Sequence, residues 1–177
     1  MEASQIKPAS WLPDVKIRLV QPEDLRAMEW DGEFRHFRNI YADAYARYLR
    51  GLSVLWVAEL PNIGLIGQVF IQLRTDRLEL ADGRERAYLY SFRVKPPYRS
   101  GGLGTQILNV VEDDLIQRGF HILTLNVAKD NFRAQELYKR CGYTIVAPEP
   151  GIWSYMDPDG VWHRVEEPAW RMEKKLE

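Results

Sequence analysis

Between Ala87 and Val127 the chain reads as a strand, a glycine loop, a helix and a second strand, and that order leaves few folds open. AYLYSFRV (Ala87 to Val94) alternates aromatic and apolar residues with polar ones, as a strand does. YRSGGLGTQ (Tyr98 to Gln106) follows it. Leu103, Ile107, Val110, Val111 and Leu115 then recur at helical spacing, and Gly119 is placed to end the helix. HILTLNV (His121 to Val127) resumes strand character. A strand–helix–strand unit of this kind calls for a mixed α/β fold.

The rest of the chain supplies antiparallel partners. VKIRLV (Val15 to Val20) alternates as a strand, and Pro22-Glu23-Asp24 suits a helix start, with proline early and acids in the first turn. A second helix is expected from about Gly32 to Arg50, because Phe34, Phe37, Tyr41, Tyr45 and Tyr48 share one face. SVLWVAEL (Ser53 to Leu60) and LIGQVFIQL (Leu65 to Leu73), parted by Pro61-Asn62-Ile63-Gly64, read as a hairpin. Arg74 to Arg86 reads as a looser turn. Asn131 opens a short helix with Ala134, Leu137, Tyr138 and Cys141 on one stripe, closed by Gly142. Two strand-like runs, about Tyr143 to Tyr155 and Val161 to Met172, end the chain. The expectation is a mixed central sheet of roughly six to seven strands with about four helices. Residues 1 to 14 are expected to be an extended lead-in and residues 15 to 177 a single domain.

Charge and composition narrow the function. Twenty-four basic and 25 acidic residues give a net charge of -1, which supports neither a nucleic-acid partner nor a membrane surface. The single cysteine, Cys141, cannot form an internal disulfide, and His36, His121 and His163 lie far apart with no metal-ligand spacing. No metal is expected. The first residues lack an apolar signal core, so a cytoplasmic protein is expected.

Three glycines in four positions (Gly101, Gly102 and Gly104) are more than a turn needs. A helix N-terminus carries free N–H groups and partial positive charge, and glycines before it let an anion reach them. The rival explanation is a tight turn with no ligand. Two nucleotide fingerprints fail: Ile107 stands where a dinucleotide-binding loop needs its third glycine, and Gly104 stands where a phosphate-binding loop needs lysine before Thr105.

Arg99-Ser100-Gly101-Gly102-Leu103-Gly104, followed some way on by NFRAQELYKRCGY (Asn131 to Tyr143), resembles the GNAT superfamily of N-acetyltransferases. The likeness is strongest over residues 87 to 146. It implies acetyl-CoA as co-substrate and direct acetyl transfer to a primary amine, either a small molecule or a protein amine. Carried over residue by residue, the backbone from Arg99 through Ser100, Gly101, Gly102, Leu103 and Gly104 to Thr105 would cradle the pyrophosphate. Phe92, Arg93 and Val94 would pair with the pantetheine arm. The Val94 N–H would stabilise charge on the thioester oxygen. Asn131 matches an asparagine near the pantetheine, and Tyr138 the tyrosine that protonates the departing thiolate. Without the motif, Tyr138 would read as a core aromatic on an amphipathic stripe. The likeness also implies strands splayed apart near 87–94 and 121–127.

The chain departs from the pattern at the base. Asn126 and Tyr90 stand where relatives carry glutamate. Glu33, Glu59, or a water chain held by Tyr90, Ser91 and Asn126 are the substitutes to consider. Because of this gap, a non-catalytic acyl-CoA sensor of the same fold stays open as an alternative. Cys141 is expected to be a buried structural thiol, not a nucleophile. Aromatics of the second helix and of the tail, Trp153, Tyr155, Trp162 and Trp170, are read as core or as walls of the acceptor pocket. The two tail strands could pair within one chain or across a homodimer.

Overall fold

The structure, a computed structural model, describes residues 8 to 177. Seven strands form one sheet, ordered β1 (Lys16–Leu19), β2 (Ser53–Leu60), β3 (Gly64–Gln72), β4 (Arg86–Val94), β5 (Ile122–Ala128), β9 (Ala169–Lys175) and β6 (Thr144–Glu149). A separate hairpin pairs β7 (Ile152–Met156) with β8 (Trp162–Glu166). Helices α1 (Asp24–Ala27) and α2 (Arg38–Leu49) cover one face, and α3 (Leu103–Gln117) and α4 (Phe132–Arg140) the other.

The two faces follow from strand alternation. On β2, Val54 and Ala58 point to the α3 side, and Leu55 and Val57 to the α2 side. On β3, Ile66, Val69 and Ile71 join the first core and Leu65 and Phe70 the second. Central strands covered on both faces therefore read as nearly continuous apolar runs. The helix α3 places Leu103, Ile107, Leu108, Val111 and Leu115 on the first core.

β4 and β5 are parallel neighbours, but their pairing runs only from Arg86↔Ile122 to Leu89↔Leu125. Just beyond, β4 takes an extra residue against β3: Phe70 pairs with Tyr90, and Gln68 with Arg93. Ser91 sits in this bulge at φ 52°, a left-handed conformation uncommon for serine. The bulge bends β4 away from β5 where the ladder ends.

Three expectations are corrected. Residues 1 to 7 of the lead-in lie outside the described residues, and the rest is not simply extended: Leu12–Asp14 form a 3-10 turn, and Trp11, Leu12 and Val15 pack on the first core. The second helix begins at Arg38, after a 3-10 turn at Arg35–Phe37, so Phe34 precedes it. The two tail runs are four strands, broken at Pro150-Gly151 and Glu167-Pro168. β6 and β9 pair with each other within this chain, and β9 lies between β5 and β6. Alternation alone cannot reveal the break, because strand character continues on both sides of it.

Gly151 fixes that break. It has φ +66°, its carbonyl accepts the Glu167 N–H at 3.0 Å, and a Cβ there would run into the Glu167 carbonyl. Gly151→Ala is expected to cost more than about 2 kcal/mol through strain and overlap. Denaturant unfolding checks this; a variant as stable as the parent would contradict the tight crossing.

Candidate active site

The gap between β4 and β5 is where the predicted donor residues meet. The Lys95 N–H donates to the Ile66 carbonyl on β3 at 2.8 Å. Backbone groups alternate along a strand, so the Val94 and Phe92 N–H groups face the open edge and Arg93's faces β3. The carbonyl of Val94 on that open edge accepts from Arg99 Nε at 2.8 Å, which ties the glycine loop to the end of β4.

Helix α3 begins at Leu103 with Gly102 at φ 95° as its N-cap and no side-chain cap. The first helical bond is Gln106 N–H to Gly102 carbonyl, so the N–H groups of Leu103, Gly104 and Thr105 have no acceptor among the described residues. Two guanidiniums stand beside them. Arg133 donates to Ser100 Oγ at 2.9 Å, and its pKa is lowered by burial and by Arg99. Neither arginine has a carboxylate partner among the described residues. Free donors and two cations without a carboxylate among the described residues, at one helix start, are what an anion site requires. The glycines also answer to packing. A Cβ on Gly101 would stand 2.8 Å from Ala9 Cβ and 2.9 Å from Trp11 Cζ2, and one on Gly104 2.9 Å from Leu137 Cδ2. The loop is thus clasped by the lead-in on one side and α4 on the other.

Asn131 ends β5's turn and caps α4, its Oδ1 accepting the Ala134 N–H at 3.2 Å. That cap aims Tyr138 back toward the sheet. Its ring lies 6.4 Å from that of Phe92 on β4 and 5.9 Å from that of Tyr143. Burial pushes its pKa up, and the nearby Tyr88 adds to the rise. Cys141 is half-buried rather than buried, with Sγ 3.9 Å from Thr105 Oγ1.

On the α2 face, the gap opens into a cleft of about 550 Å³. Tyr88, Tyr90, Ser91, Arg93 and Asn126 form its floor, with Phe37, Trp153 and Tyr155 as aromatic walls. The β7–β8 hairpin is pinned over it: Asn39 donates to the carbonyls of Met156 (3.1 Å) and Asp157 (2.9 Å), and Arg35 pairs with Asp159 at 3.1 Å. Trp30, Asp31 and Gly32 all take positive φ, a strained turn that sets Phe34 4.4 Å from the Arg93 guanidinium.

The model of the acetyltransferase (GNAT) family matches residues 20–143, well over half of the chain. The protein belongs to the GNAT family. N-alpha-acetyltransferase 50 of Danio rerio is 26% identical over 107 residues, 60% of this chain and 64% of that protein. N-acetyltransferase YycN of Bacillus subtilis is 23% identical over 143 residues, 78% of this chain and 76% of its own. The alignment thus spans less than two thirds of the Danio relative's length. Among solved structures, the ribosomal-protein-S18-alanine N-acetyltransferase of Escherichia coli superposes with TM-score 0.66 at 22% identity, covering 92% of this chain and 94% of its own. A point mutant of the spermidine N-acetyltransferase SpeG of Vibrio cholerae gives 0.69 at 17%, covering 93% and 95%. At these identities the likeness is one of fold.

Within this GNAT domain the substitute bases fare differently. Glu59 is held by Arg18 at 3.0 Å on the outer β1–β2 edge, where Arg18 also binds Asp24. Glu33 is exposed and does not line the cleft. Tyr90, Ser91 and Asn126 do come together on the floor, and Asn126 Oδ1 is buried without a partner among the described residues. Two residues escaped the reading of the sequence. Arg133 could have been suspected from its place beside Asn131. Glu149 could not: it reaches the cleft only because β6 lies beside β9, and its Oε1 accepts from Arg77 (2.8 Å) and Arg171 (3.2 Å).

Burial raises the pKa of Tyr41, Tyr90, Tyr138 and Tyr143, and pushes Tyr88 up to about 12. A group protonated more firmly in the folded state contributes stability that is complete below its unfolded pKa near 10 and lost as pH rises through its folded value. The melting temperature should therefore fall steeply from about pH 10 to pH 12, with phenolate absorbance lagging behind that of the unfolded chain. A flat melting temperature across this range would contradict the packing of these rings.

Proposed function

We propose that this protein moves the acetyl group of acetyl-CoA directly to a primary amine bound in the cleft. The observation that carries the reading is the strand gap itself. It opens on one side to an uncapped helix start beside two arginines that hold no carboxylate among the described residues, and on the other to an aromatic-walled cleft. Acetyl-CoA would supply the activated acetyl as a thioester. The free N–H groups of Leu103, Gly104 and Thr105, with Arg99 and Arg133, fit its pyrophosphate. Phe92 and Val94 offer backbone groups to the pantetheine arm, and the Val94 N–H faces the position where the acyl oxygen would gather charge.

Tyr138 holds a proton where the sulfur would leave. Burial raises its pKa and so keeps it neutral around neutral pH, where it can donate a hydrogen bond. A raised phenol is also a reluctant acid, so it would support the leaving thiolate, whose ordinary pKa is about 8.5, more by hydrogen bonding than by early proton transfer. With no carboxylate at Tyr90 or Asn126, water held by Tyr90, Ser91 and Asn126 would carry away the amine's proton. The proposed acceptor is a small-molecule or protein amine, and the proposed location cytoplasmic; no helix among the described residues is long and apolar enough to cross a membrane.

Thermal shift with acetyl-CoA, CoA and ATP, followed by thiol release over an amine panel, tests the reading. Stabilisation by both CoA compounds, amine-dependent thiol release and none with ATP is expected. CoA binding without turnover on any amine would favour the sensor instead. Tyr138→Phe should bind CoA as the parent does and transfer about 100-fold more slowly. Unchanged turnover would reduce Tyr138 to a core aromatic.

A further inference from the structure

We propose that the amine acceptor carries a carboxylate, placed a short carbon chain from its amine, which ion-pairs with Arg93 on the floor of the cleft. This rests on the acetyl-transfer reading and narrows its substrate class to small amino-carboxylates.

Four of the six half-buried arginines among the described residues hold carboxylates: Arg18 binds Asp24 and Glu59, Arg38 binds Glu29, Arg86 binds Glu173, and Arg171 binds Glu149. Arg47 donates instead to the Arg74 carbonyl at 2.7 Å. Arg93 has neither a carboxylate nor a carbonyl partner among the described residues, and it lines the acceptor cleft, which suits it to an anion.

Its surroundings prepare the guanidinium without neutralising it. Nη1 donates to Tyr41 Oη at 2.9 Å and to Ser91 Oγ at 3.1 Å. Both are neutral hydroxyls, and burial keeps Tyr41 protonated beyond its ordinary value. The rings of Phe34 and Phe37 flank the group at 4.4 and 5.0 Å. Glu33 is close enough to favour the charge but forms no ion pair with Arg93. Nε and Nη2 have no hydrogen-bond partner among the described residues, and the side chain lines the cleft. Two adjacent free donors on a rotationally fixed, half-desolvated fork match a carboxylate's two oxygens. Burial lowers the pKa of Arg93, as expected of a cation lacking its counter-ion.

Position limits the distance between the acceptor's two groups. Arg93 immediately precedes Val94, whose N–H the transfer reading sets at the acyl oxygen. The carboxylate and the attacking amine must therefore lie close together in the acceptor. A polyamine would instead set a second ammonium against Arg93, a like-charge clash.

The test compares matched probes on the CoA-loaded protein: the N-acetyl derivatives of methionine, phenylalanine, glutamate and γ-aminobutyrate, each against its carboxamide, with N-acetylspermidine alongside. At least one carboxylate should bind on the order of 10-fold more tightly than its amide. R93Q should erase that preference, and R93K should keep only part of it. Equal binding within every pair, or stronger binding of N-acetylspermidine, would overturn the inference, and the wild-type comparison needs no variant to fold. Should the N-acetyl carboxylates bind selectively while no amine releases thiol from acetyl-CoA, the anion site would stand and the transfer reading would fall.

Discussion

Beyond Leu89 and Leu125 the backbones of β4 and β5 stop pairing, and everything of chemical interest in the fold depends on that parting. An interrupted ladder leaves backbone donors and acceptors unused, which a compact protein rarely tolerates. Here the Ser91 bulge turns β4 aside, Arg99 caps the Val94 carbonyl, and the Val94 N–H is left facing the gap. The gap joins the two faces of the sheet. In the proposed reaction a donor with a phosphate tail would enter from the α3 side and an acceptor from the α2 side, meeting at one strand edge.

The glycine loop serves two demands at once. Its uncapped helix start can receive an anion, while the lead-in and α4 press so closely on Gly101 and Gly104 that a methyl group would collide. The lead-in is accordingly part of the loop's support: the Ala9 N–H donates to the Gly101 carbonyl, and Trp11 meets Tyr98 edge-on. The two cores, separated by the sheet, carry these demands independently. The α3 core supports the loop, and the α2 core supports the cleft floor.

Much of this was legible in the sequence where the signal is local. The strand, glycine loop and helix of 87–117, the Asn131 cap and the glycine stops at 51, 119 and 142 depend on neighbouring residues, and they stand where periodicity put them. What depends on distant packing was not legible. The break at Gly151 exists because the Glu167 carbonyl crosses it, and Glu149 enters the cleft because β9 inserts beside β5. Arg93 read as a backbone contact, yet its distinctive feature is a side chain sent to the opposite face, among Phe34, Phe37 and, 52 residues away, Tyr41. No spacing rule carries such information.

The central claim is that the strand gap receives the donor. Backbone amide shifts measured by NMR with and without CoA test it directly. The account predicts the largest changes, and slowed hydrogen exchange, at Phe92, Val94 and Leu103 to Thr105, with little change on β1 and β2. Changes confined to other parts of the chain, with Val94 and the loop unaffected, would contradict it.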